Sequence, residues 1–134
     1  MERLAEVMAG YCRRLGTRPP EPRGDGAYVL RFENKYEIQL SPSPENRDRV
    51  LLRADLPPLT RDRERRDRVE RLMRINLLLS GRKQSTLSLD DAVDTPFLYD
   101  LIAVDTADAD SSYRSITAFV NEVAAFHKAL ERSH

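Results

Sequence analysis

The sequence has little of the residues that cross-link or anchor a protein. Its 134 residues include one cysteine, Cys12, so no disulfide can form within the chain and a reducing compartment is expected. No apolar run approaches the roughly 20 residues that cross a bilayer, and the start of the chain does not resemble a signal peptide. We therefore predict a single domain over residues 1–134 in the cytoplasm.

The chain also lacks an excess of charge of either sign. Lys and Arg total 22, as do Asp and Glu, so the formal net charge is zero. The overall charge therefore indicates neither nucleic acid nor an anionic membrane as a partner. A hydrophobic fraction of 40% beside 33% charged residues is typical of a water-soluble globular domain.

Groups that commonly perform catalysis or bind metals are scarce. Of the two histidines, His127 lies at the edge of an apolar helical pattern and His134 ends the chain. The aspartates within 90–94 and 105–110 lack the glycine and terminal glutamate of a calcium-binding loop. Cys12 is interpreted as a small buried hydrophobe. We expect no catalytic residue, metal or cofactor, and therefore a binding protein rather than an enzyme.

Regular apolar patterns predict eight elements. Helical spacing predicts a first helix over Glu2 to Leu15, a second from a cap at Thr60 to about Ser80, and a third capped by Asp110 or Ser111. Alternation predicts five strands, over residues 28–33, 36–40, 49–56, 85–89 and 97–104. The order α-β-β-β-α-β-β-α predicts an α+β fold, with a mostly antiparallel twisted sheet flanked by helices.

The first two strands predict their own register. If both apolar rows share one face, the opposed pairs are Phe32 with Tyr36, Leu30 with Ile38, and Tyr28 with Leu40. The connection is then a three-residue loop over 33–35, in which Asn34 or Lys35 would adopt a positive φ.

The second half of the middle helix is apolar on nearly every side. Its apolar residues are Leu72, Met73, Ile75, Leu77, Leu78 and Leu79. A helix that is apolar all round must be covered all round, and in a small domain the obvious cover is a second copy. We therefore predict a homodimer in which Asn76 hydrogen-bonds across the twofold axis. The alternative is that the first or last helix of the same chain covers this surface.

Arginine is concentrated between residues 61 and 74, with acids interleaved. Asp62 with Arg66, and Glu64 with Arg68, have the spacing of helical ion pairs. The simplest interpretation is a solvated helical turn. The alternatives are a regulatory or nucleic-acid-binding module that uses this segment, and a contact to an acidic protein partner.

Four stretches of sequence stand in a characteristic order. They are Arg14-Leu15-Gly16, Leu51 to Pro57, Arg71 to Leu79, and Thr86 to Asp90. Together with the order of elements, they resemble the class I effector chaperones of bacterial type III secretion systems, the Tir chaperone or CesT-like family. The resemblance covers nearly the whole chain.

The resemblance implies a cytoplasmic homodimer without catalytic residues, nucleotide or cofactor. Such a protein binds the N-terminal segment of a secreted effector in extended form, keeps it soluble and secretion-competent, and helps deliver it to the export machinery, with the secretion ATPase as a further candidate partner. Carried onto this chain, the dimer interface would comprise Leu72, Met73, Asn76 and Leu77. The apolar patches for the effector would comprise Leu4, Met8, Tyr11, Tyr36, Ile38, Leu40 and Leu52.

Overall fold

The computed structural model describes residues 2–32, 35–45, 48–81, 84–104 and 109–132. The elements are α1 (Glu2–Leu15), β1 (Tyr28–Phe32), β2 (Tyr36–Pro42), β3 (Arg49–Asp55), α2 (Arg65–Leu79), β4 (Thr86–Asp90), β5 (Thr95–Ala103) and α3 (Ala109–Arg132). Their order is the predicted one, and the predicted α+β fold is confirmed. Within the described residues, no helix is both long and apolar enough to cross a bilayer.

The five strands form one antiparallel sheet in the order β1-β2-β3-β5-β4, so β1 and β4 are its edges. The predicted hairpin register is confirmed, with Phe32 opposite Tyr36 and Leu30 opposite Ile38. Of the two residues expected to tolerate a positive φ in the hairpin loop, Lys35 does not adopt one. Asn34 lies outside the described residues.

One face of the sheet carries the hydrophobic core. Alternate strand residues point into it, and helical stripes at i, i+3 and i+4 spacing cover them. The buried cluster includes Leu4, Met8 and Tyr11 of α1, Leu72 and Ile75 of α2, Ile116, Phe119, Val123 and Phe126 of α3, and Ile38, Leu40, Val50, Leu52 and Leu98 of the sheet. Because all three helices contribute to this cluster, they lie on the same face of the sheet.

The start of α2 differs from the prediction. The helix begins at Arg65 and not directly after Thr60, whose side chain does not cap it. The Asp62 carboxylate accepts the backbone N–H of Glu64 at 2.9 Å, which forms a side-chain-stabilised turn before the helix. The Thr60 hydroxyl instead accepts a hydrogen bond from the Arg68 guanidinium at 3.0 Å. Residues 61–64 are therefore a turn.

Asp94 connects this turn to the hairpin between β4 and β5. Its backbone has a φ of 50°, and its carbonyl accepts the N–H of the buried Leu59 at 2.8 Å. Its carboxylate accepts hydrogen bonds from Arg61 at 2.6 Å and from Arg65 at 3.0 Å. These contacts place the first turn of α2 against the end of the sheet.

Two further boundaries differ from the predictions. Asp110 and Ser111 are not caps, because α3 already begins at Ala109 and both residues lie in its first turn. An acidic side chain there complements the positive end of the helix dipole. β5 begins before Pro96, whose carbonyl accepts the N–H of Leu56 at 2.8 Å, so this proline belongs to the strand.

Candidate functional site

The outward side of α2 carries large apolar side chains that the chain itself does not cover. Met73 is 56% exposed and Leu77 is 74% exposed, one helical turn apart. We name these two residues, with Asn76 beside them, the α2 stripe. Leu72 and Ile75 project from the other side of the helix into the core. Coverage by the first or last helix, the alternative to a second copy, is therefore excluded for Met73 and Leu77.

The four residues predicted for a dimer interface are thus divided between two surroundings. Three of them form the α2 stripe, whereas Leu72 is a core residue. Asn76 is half-buried, and its side-chain oxygen has no hydrogen-bond partner among the described residues. The available surface on this side of α2 consequently combines two apolar side chains with one amide.

The seven side chains predicted to contact an effector lie in the core. Each is at most 5% exposed, because three of them project from α1 onto the sheet and the other four lie in the row of the sheet that the helices cover. They are Leu4, Met8, Tyr11, Tyr36, Ile38, Leu40 and Leu52. This corrects the expectation that they form a free apolar patch, since in this conformation they offer no surface to a partner.

The opposite row of the sheet keeps apolar side chains at the surface. Leu51 pairs with Leu101 and Arg53 pairs with Tyr99 across β3 and β5, and Phe97 follows in the same row. We name these five residues the open face. None of them belongs to the core; Leu101 is 41% exposed and the other four are half-buried.

Sequence reasoning missed the open face, although a signal was present. Residues 97–102 read Phe-Leu-Tyr-Asp-Leu-Ile, a run in which both alternating rows contain apolar side chains. A strand that is apolar in both rows is typical of one covered on two sides. Here the helices cover one row, and the second row remains available.

Arg53 is held in a fixed position on the open face. Its guanidinium carbon lies 4.0 Å from the centroid of the Phe97 ring. Its Nε donates to Asp55 at 2.8 Å, and a terminal nitrogen donates to Asp90 at 3.2 Å. A cation above an aromatic ring with carboxylate partners on either side is well satisfied, so the open face presents a flat apolar and aromatic surface rather than a free charge.

A cleft of about 370 Å³ opens between β2 and β3 and extends to Arg53 of the open face. Described pairs between β2 and β3 cover Gln39 to Pro42 but not the first residues of β2. The cleft lies where the two strands separate, and its lining includes Tyr36 and His127. Their rings are 4.8 Å apart and tilted, so the predicted partly buried helix histidine is confirmed as a ring packed on a core tyrosine.

The environment of His127 disfavours its charged form. Burial lowers the pKa of His127 below its ordinary value of 6.5; Glu131 opposes this effect and Lys35 adds to it. The unfolded chain therefore takes up a proton at a higher pH than the folded chain does. By linkage, this residue makes stability fall as the pH is lowered through 6.5 towards the depressed folded pKa.

We expect the variant His127→Phe to lose stability less steeply on acidification than the wild type. Phenylalanine keeps a ring against Tyr36 but binds no proton, so its contribution does not change with pH. Urea unfolding at about pH 7.5 and about pH 5.5 measures the effect, because the ordinary histidine pKa, which applies to the unfolded chain, lies between these values. If the wild type and the variant lost equal free energies of unfolding between the two pH values, the lowered pKa of His127 would be contradicted.

The arginine-rich segment is largely paired with the acids around it. The predicted pair of Glu64 with Arg68 is confirmed, at 3.0 Å. Arg66 pairs with Glu70 at 3.2 Å rather than with Asp62, because the helix begins only after Asp62. Carboxylates within the same surface oppose phosphate binding, so the structure gives no support to a nucleic-acid surface in this segment.

The residues considered for metal binding or reactivity do not form a site in the described part of the chain. No three His, Cys, Asp or Glu side chains come together there. Asp105 and Asp108 lie outside the described residues. Cys12 is buried, as predicted, and burial raises the pKa of its thiol, which keeps it in the less reactive neutral form.

The fold and these surfaces define a small α+β binding protein. The Tir chaperone protein (CesT) family model matches residues 7–127. The chain therefore belongs to this family, and the resemblance to class I type III secretion chaperones is confirmed. No curated protein sequence matches the chain.

Solved structures with the same fold include chains from three protein complexes. A chain of the HopA1–SchA chaperone–effector complex superposes with a TM-score of 0.68 at 17% identity, covering 94% of both chains. A chain of the ExsC–ExsE complex gives 0.64 at 18% identity, covering 90% of this chain and 88% of that one. The Yersinia pestis chaperone SycH, in complex with a stable fragment of YscM2, gives 0.60 at 16% identity, covering 90% and 96%. These similarities establish the fold.

Proposed function

We propose that this protein is a homodimeric type III secretion chaperone of the bacterial cytoplasm. It binds the N-terminal segment of a secreted effector in extended form and keeps that segment soluble and secretion-competent. It then helps deliver the effector to the export machinery, including the secretion ATPase. It acts by binding alone, without catalytic residues or a cofactor. The observation that carries the proposal is the open face, which offers apolar surface on a sheet of the family fold.

The open face suits an extended segment better than a folded domain. Leu51, Leu101, Tyr99 and Phe97 form a shallow row across two paired strands, and side chains of an extended peptide alternate with a matching period of two. The edge strand β1 can also accept an added strand by main-chain hydrogen bonds. The structural neighbour HopA1–SchA is a chaperone–effector complex, which supports an effector as the occupant.

The α2 stripe supports the dimer. Met73 and Leu77 place two large apolar side chains in water one helical turn apart, and a twofold axis beside them would bury four such side chains at once. The side-chain oxygen of Asn76 is buried and unpaired within the described residues, so the amide would have to turn outward to gain a partner from the second copy. A single polar residue among apolar ones also fixes register.

We expect Leu101→Asp to weaken effector binding by tenfold or more without changing the mass of the free protein. The substitution removes the apolar contact of a leucine side chain and places a carboxylate in the centre of an apolar interface, where it must be desolvated. Together these two effects cost more than about 1.4 kcal/mol, which corresponds to a tenfold rise in the dissociation constant. The experiment uses the first hundred or so residues of each secreted protein encoded near the chaperone gene. Co-purification identifies the bound segment, and titration calorimetry measures its affinity.

Leu15→Asp is the matched control, since Leu15 is 44% exposed but lies at the end of α1, away from the open face. It should bind the effector segment as the wild type does. Equal binding by the Leu101 variant would exclude the open face as the contact surface. Failure of every candidate effector segment to bind the wild-type protein would overturn the proposed function itself.

A further inference from the structure

An apolar groove, separate from the α2 stripe and the open face, runs between α2 and α3. Its volume is about 440 Å³. On α3 it is lined by Ala125 and Ala129, and on α2 by Ile75 and Leu78. Leu78 is 73% exposed, so the chain itself does not cover the groove. Two alanines one turn apart leave room for another helix to approach closely.

Every charged residue that lines this groove is basic. They are Arg71, Arg74, Lys128 and Arg132. Arg74, Lys128 and Arg132 form no ion pair within the described part of the chain. This contrasts with the start of the same helix, where Arg65, Arg66 and Arg68 all have carboxylate partners. In a chain of zero net charge, the groove is therefore a local concentration of uncompensated positive charge.

The groove and the α2 stripe can be occupied at the same time. At about 100° per residue, Leu78 projects about 140° away from Met73 and about 100° away from Leu77 around the axis of α2. A second copy seated on the α2 stripe would thus leave the groove accessible. The open face lies on the far side of the sheet from all three helices.

We propose that this groove binds an amphipathic helical segment of another protein, with an apolar face flanked by Asp or Glu. The apolar floor matches the face of such a helix, and the basic residues on both walls match its acidic flanks. The partner class follows from charge complementarity, since a basic or neutral amphipathic helix would leave Arg74, Lys128 and Arg132 without carboxylate partners. The proposal does not depend on effector binding or on dimerisation.

The test uses a fluorescent synthetic helix of about 18 residues, or roughly five turns, with a leucine face flanked by glutamates. Two matched peptides carry lysine or glutamine in place of each glutamate. Fluorescence anisotropy with the full chain at fixed salt should give at least tenfold tighter binding of the glutamate peptide than of the lysine peptide. Equal binding of all three peptides would overturn the proposal.

The double variant Arg74→Glu/Lys128→Glu should bind the glutamate peptide at least tenfold more weakly than the wild type. Arg114→Glu, at an exposed position on α3 that does not line the groove, is the matched control and should bind normally. Unchanged binding by the double variant would place the peptide elsewhere. The proposal is also overturned if Leu78→Ser alone converts a dimer to a monomer, because the groove would then be an interface between copies.

Discussion

Replacing Met73 and Leu77 together with aspartate is expected to convert the protein from a dimer into a monomer of 15.4 kDa. Because a twofold interface uses each residue twice, the double variant removes four large apolar side chains and introduces four carboxylates. Burying one such side chain contributes about 1.5–3 kcal/mol. The dimer dissociation constant should therefore rise by at least about a hundredfold, or roughly 3 kcal/mol. Sedimentation equilibrium over a range of protein concentrations measures this constant.

The matched control for the dimer is Val93→Asp. Val93 is 59% exposed, close to the value for Met73, but it lies in the turn between β4 and β5. This variant should sediment as the wild type does. A wild-type protein that remains a monomer at the highest concentration would contradict the dimer, and so would a double variant that remains dimeric. Because Met73 and Leu77 are exposed, aspartate at these two positions should leave the folding of the subunit unchanged.

The variant Leu52→Ala should lose about 2–5 kcal/mol of stability, whereas Leu101→Ala should lose less than about 1 kcal/mol. The two leucines lie on adjacent strands but on opposite faces of the sheet. Leu52 is fully buried, and its truncation leaves a cavity beneath the helices. Leu101 lies on the open face, where truncation removes mainly exposed surface.

Urea unfolding of both variants at one protein concentration measures this difference, since a linked dimer makes stability concentration-dependent. The comparison also decides between two roles for Leu52. If Leu52→Ala kept wild-type stability but lost effector binding, the sequence-based assignment of this residue to an effector patch would be correct after all. A large loss of stability identifies it as a core residue.

Pairing within the sheet was predictable because it depends on local periodicity. The register of Tyr28 with Leu40 follows from two alternating rows joined by a short loop, and slipping by one residue would reverse every side chain. The stripe of α1 was predictable for a similar reason. The α2 residues Met73 and Leu77 were recognised as surplus because their helix carries more apolar positions than one face can bury.

Which face of the sheet the helices cover could not be predicted from the same patterns. Alternation identifies two rows in a strand but does not say which row the helices cover, so Ile38 and Leu52 were assigned to a free patch although they are buried. The start of α2 was missed for a related reason. A cap at Thr60 is reasonable locally, but the anchoring of Leu59 by the carbonyl of Asp94, 35 residues away in sequence, moves the helix start. The face that the helices cover and the residue at which α2 starts are therefore both determined by tertiary contacts.

Arg61 and Arg65, which both donate hydrogen bonds to the Asp94 carboxylate, bear on how the two copies of a dimer would be arranged. Arg61 and Arg65 hold the pKa of this carboxyl below its ordinary value, so the carboxylate stays charged at neutral pH. Two ion pairs thus connect the segment at the start of α2, the helix of the proposed twofold contact, to the hairpin whose second strand carries Phe97 and Tyr99. In a dimer, the distance and the angle between the two open faces would then be constant. An effector segment that contacts both copies would have to match that distance.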